Sequence, residues 1–111
     1  MSVREKYDIL FMRKIVNGKI FNHCSAKVPG GSNSVLFFLT RFDKKDASDL
    51  LEELVIRINL GYNTNDSYES DLVEHMDIIF QYPNIDIDGV LLMPMQDMKG
   101  LLEEWISFIT D

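Results

Sequence analysis

The chain has 111 residues, 46% of them hydrophobic and 26% charged, with a net charge of −7. This fits one domain (1–111) with one core, leaves no room for a second, and lies well away from the polar, highly charged composition of disordered chains. No apolar run nears the roughly 20 residues that span a bilayer, and the N-terminus lacks the apolar segment of a secretory signal, so a soluble cytoplasmic protein is expected.

Lys6 to Val16 is apolar-rich, and Asn17-Gly18 supplies the two positive-φ positions of a type I′ turn, which predicts a hairpin returning through 19–26. Cys24, the lone cysteine, is expected as a small buried residue of the second strand and can close no internal disulfide. Pro29 to Ser34 forms a break, and the apolar run Val35 to Phe42 then reads as a central strand buried on both faces.

Asp43 and Asp46 suit the N-terminus of a helix carrying Leu50, Leu51, Leu54, Val55 and Ile58 on one stripe and stopping at Gly61. Tyr62 to Glu74 reads as an exposed polar loop, and Met76 to Phe80 as a strand closed by Tyr82-Pro83-Asn84. A fifth strand is expected from Ile85 to Met93, bent or bulged at Gly89. Pro94 then opens a final helix whose apolar face holds Met98, Leu101, Leu102 and Trp105, a face wide enough to outweigh the cost of Gly100, about 1 kcal/mol relative to Ala. The order is β-β-β-α-β-β-α, an α+β fold with a mostly antiparallel sheet of about five strands and two helices packed on it.

The residues offer no catalytic constellation and no metal or cofactor site. His23 and His75 are half the chain apart with no further ligand at a zinc spacing, and His75 reads as exposed despite Glu74 and Asp77 nearby. Pro29-Gly30-Gly31-Ser32 lacks the lysine of a phosphate loop, and Asp86 and Asp88, which share a strand face, do not match the EF-hand spacing.

Charge is instead divided along the chain. Residues 1–45 carry nine Lys/Arg against three Asp/Glu, and residues 46–111 carry two against fifteen. An anionic half repels nucleic acid and speeds encounter with a basic protein; a solvated, solubilising surface is the alternative reading. The candidate partner-binding residues are the acidic group Asp66, Glu69, Asp71, Glu74, Asp77, Asp86 and Asp88, with Tyr62 and Tyr68 as aromatic anchors among them.

With its VPGGSNSVLFFLTRF segment (28–42) and its C-terminal DMKGLLEEWISFI helix (97–109), the chain resembles immunity proteins of bacterial contact-dependent growth inhibition systems. The resemblance implies a cytoplasmic protein that binds the toxic domain of a specific effector, often a nuclease, and blocks it. An acidic inhibitor has the right sign for that target, because an enzyme acting on RNA or DNA presents a basic cleft. A non-catalytic interaction module, a small ligand-binding or enzyme domain and a subunit assembling by sheet-edge pairing are the alternatives.

Overall fold

A computed structural model of the chain describes residues 2–110. A short helix α1 (Val3–Lys6) leads into strands β1 (Ile9–Val16) and β2 (Lys19–Ala26), an antiparallel pair. Asn17 and Gly18 both have positive φ, 52° and 78°, so the turn is built as the dipeptide predicts and pairs Val16 with Lys19.

The segment expected as a central strand is a 3-10 helix, Ser32–Arg41. Leu36, Leu39 and Phe42 are buried at three-residue steps, the period of a 3-10 helix, with Phe38 buried beside them and Phe37 46% exposed. An unbroken apolar run hides that period. The helix covers the β2 edge, where Thr40 Oγ1 accepts the Cys24 N–H at 3.0 Å and donates to the Cys24 carbonyl at 3.1 Å. Strand polar groups that a third strand would have satisfied are thus satisfied by one hydroxyl.

Helix α2 (Lys44–Leu60) starts with a capping box, in which Asp43 accepts the Asp46 N–H at 2.8 Å and Asp46 accepts the Asp43 N–H at 3.2 Å; Gly61 closes it. The expected loop after it contains β3 (Ser67–Tyr68) and a 3-10 turn (Asp71–Val73) that buries Val73.

Strands β4 (Ile78–Gln81) and β5 (Asn84–Ile87) are joined through a cis Tyr82–Pro83 peptide bond. The expected fifth strand is in fact two: the chain reverses at Asp88 and Gly89, both of positive φ, into β6 (Leu91–Pro94). Gly89 takes that conformation at no steric cost, which makes it a turn rather than a bulge.

The α+β class and the antiparallel pairing therefore stand, with six strands among the described residues in two sheets, β1-β2 and β3-β4-β5-β6. Helix α3 (Met95–Thr110) packs along α2, and Trp105 is fully buried with its indole N–H on the Phe42 carbonyl at 2.9 Å. The first turn of the chain lies on α3 as well, because the Glu104 carboxylate accepts the Val3 and Arg4 N–H groups at 2.7 and 3.1 Å. No helix among the described residues is long and apolar enough to cross a membrane.

Candidate protein-binding site

The segment from β3 to the start of β4 curls around a depression of about 420 Å³. Tyr68, Glu69, Asp71, Glu74 and Asp77 all line it, so five of the nine residues singled out in the sequence come together in one place. Ser70 shapes the curl by accepting the Leu72 N–H at 3.2 Å, which caps the 3-10 turn and turns Asp71 and Glu74 outward to solvent.

Among the described residues, Glu69, Asp71 and Asp77 make no ion pair, and Glu74 meets only His75, at 3.4 Å, on an exposed edge. Four carboxylates of one sign thus face the same concavity without cations of their own. Such a surface accepts charge-assisted hydrogen bonds from lysine or arginine.

The remaining four lie elsewhere. Asp66 is held by Arg57 at 2.5 Å and by the Thr64 hydroxyl, and these contacts hold its carboxyl down at about 2. Asp88 ties the two ends of the β4–β5 hairpin, donating its N–H to the Asp77 carbonyl at 2.6 Å and accepting the Asp77 N–H at 3.3 Å. Asp86 stands on the outer sheet face between Ile79 and Leu92, and Tyr62 is exposed just beyond α2.

Sequence reasoning missed two parts of the surface. Burial raises the pKa of the Tyr68 phenol, and Asp49, Asp46 and Glu53 of α2 raise it further, so the phenol stays protonated and the acidic field extends onto that helix. The 46/49/53 spacing is a helical face and is the signal for it. The second part is an apolar cleft of about 280 Å³ between the long 3-10 helix and the 3-10 turn, lined by Val35, Phe37, Phe38, Leu72, Val73 and Met76, with Arg41 and His75 at its edge. Val73 and Met76 are walls of both concavities, so the cleft and the acidic depression adjoin. The expected buried strand over 35–42 hid this cleft.

An ion pair, Lys6–Asp97 at 2.9 Å, links the basic first part of the chain to the acidic second. Cys24 is fully buried, which pushes its thiol up to about 12 and leaves it unreactive. No three His, Cys, Asp or Glu side chains among the described residues group as a cation site. Comparison with family models, with curated proteins and with solved structures finds no match.

Proposed function

We propose that this α+β chain is a non-catalytic binding protein whose acidic depression and adjoining apolar cleft seat a basic protein partner. Within that class, the reading adopted is an immunity protein that neutralises a cognate bacterial toxin domain of nuclease type. The observation that carries it is the convergence of Glu69, Asp71, Glu74 and Asp77, uncompensated by any lysine or arginine among the described residues, beside a cleft able to take an apolar side chain. A nuclease binds phosphates with lysine and arginine, and a ring of carboxylates offers those cations the same charge in the same place. An apolar anchor surrounded by polar contacts is how protein interfaces concentrate affinity.

The test is co-purification of the tagged chain with the protein encoded beside it, followed by titration of that protein's nuclease activity. One equivalent of the chain abolishes the activity, and reversal of Glu69, Asp71, Glu74 and Asp77 to lysine weakens binding at least tenfold, chiefly through slower association. Unchanged affinity in the reversed variant moves the site elsewhere, and full nuclease activity in a stable complex removes the neutralising role.

A further inference from the structure

The hairpin presents the opposite chemistry. Residues 9–42 contain no Asp or Glu, and Lys19 follows the hairpin turn while Lys14 lies two rungs down the ladder opposite Phe21, neither in an ion pair among the described residues. Ile15 is 75% exposed, Ile20 65%, and Phe21 and Val16 50% each. Ile15 faces Ile20 directly across the ladder, on the side that packs Phe11 and Cys24 toward the core further down, while Lys14 and Phe21 share the other side. A two-stranded ribbon has no core of its own, and apolar side chains gathered at its solvent end mark a contact surface.

A basic, apolar tip fits an acidic surface with an apolar recess, and this chain carries one. Within one copy the tip is uncovered, so it does not sit on its own cleft. We propose that two copies pair, the β1–β2 hairpin of each docking on the other's acidic depression and apolar cleft. Lys14 and Lys19 then meet Glu74 and Asp77, and an Ile or Phe of the tip enters between Phe37 and Met76. Exchange of identical contacts about a two-fold axis closes the assembly at two chains. The inference rests on the same surface that seats the basic partner, so pairing and partner binding exclude each other, and the partner displaces the second copy.

Sedimentation equilibrium of the full chain tests this. The mass rises with concentration from 12.9 kDa toward twice that value, and falls back as salt screens the contact. Lys14→Glu/Lys19→Glu sediments as a single chain, as does Glu74→Lys/Asp77→Lys, each checked for folding by circular dichroism. Mixing these two variants restores the pair, because each reversed surface now faces its complement. Wild type at single-chain mass throughout, or a mixture that stays monomeric, overturns the proposal, as does a monomer that floats with phosphatidylserine vesicles through the hairpin. A monomer that still binds the basic partner overturns the pairing alone and leaves the proposed function standing; a pair that no basic partner disperses keeps the pairing and removes that function.

Discussion

The guanidinium carbon of Arg57 lies 3.8 Å from the centroid of the fully buried Phe80 ring. The same guanidinium pairs with Glu53 and Asp66 at 2.5 Å each, and the Asp66 carbonyl accepts the Phe80 N–H at 2.8 Å. Arg57 thereby ties the last turn of α2, the connection that follows it and β4 together at one point.

Arg57→Ala should destabilise the fold by about 2 kcal/mol, combining the lost cation–π contact with ion pairs discounted for partners that are over 40% exposed. Arg57→Lys keeps the charge but not the planar fork and should fall between the two. Urea unfolding followed by Trp105 fluorescence measures both. A lysine variant as stable as wild type would show that charge alone matters there.

The Arg57–Asp66 pair also sets a pH dependence. The folded carboxyl sits at about 2 against an ordinary 3.8, so the pair's contribution is complete above the ordinary value and is lost as pH falls through the folded one. The stability gap between wild type and Asp66→Asn should therefore be constant at neutral pH, shrink below about pH 4 and vanish near pH 2. A gap unchanged down to pH 2 would contradict the pairing.

At Gly100, helix propensity and packing oppose each other. Alanine is favoured over glycine inside a helix by about 1 kcal/mol, yet a Cβ at this position lies 2.7 Å from Val3 Cγ2 of α1. Val3 is β-branched and held from behind by its N–H bond to Glu104, so it yields poorly. Gly100→Ala should destabilise by about 1 kcal/mol in wild type and stabilise by a similar amount in a Val3→Ala background. A stabilising effect in wild type would mean that α1 moves aside freely.

Much of the site was legible residue by residue but not as a shape. Carboxylate density between Glu69 and Asp77 is a property of composition, and the curl that gathers it is shaped in part by near neighbours such as Ser70 and Leu72. The cleft was not legible, because its walls Phe37 and Met76 are 39 positions apart and meet only after folding. Asp66 was read as a free surface acid because nothing in its own segment announces the guanidinium of Arg57.

Local chemistry by itself determined the Asn17-Gly18 hairpin, the Asp43/Asp46 cap of α2, the burial of Trp105 on the α3 stripe and the division of charge, since each depends on backbone preference or side-chain period within a few residues. Tertiary structure alone decided whether Val35 to Phe42 would extend or coil, and whether Ile85 to Met93 would run on or reverse. An apolar run satisfies a strand and a helix equally, so the choice fell to what completes the β2 edge, and one hydroxyl, Thr40, did so.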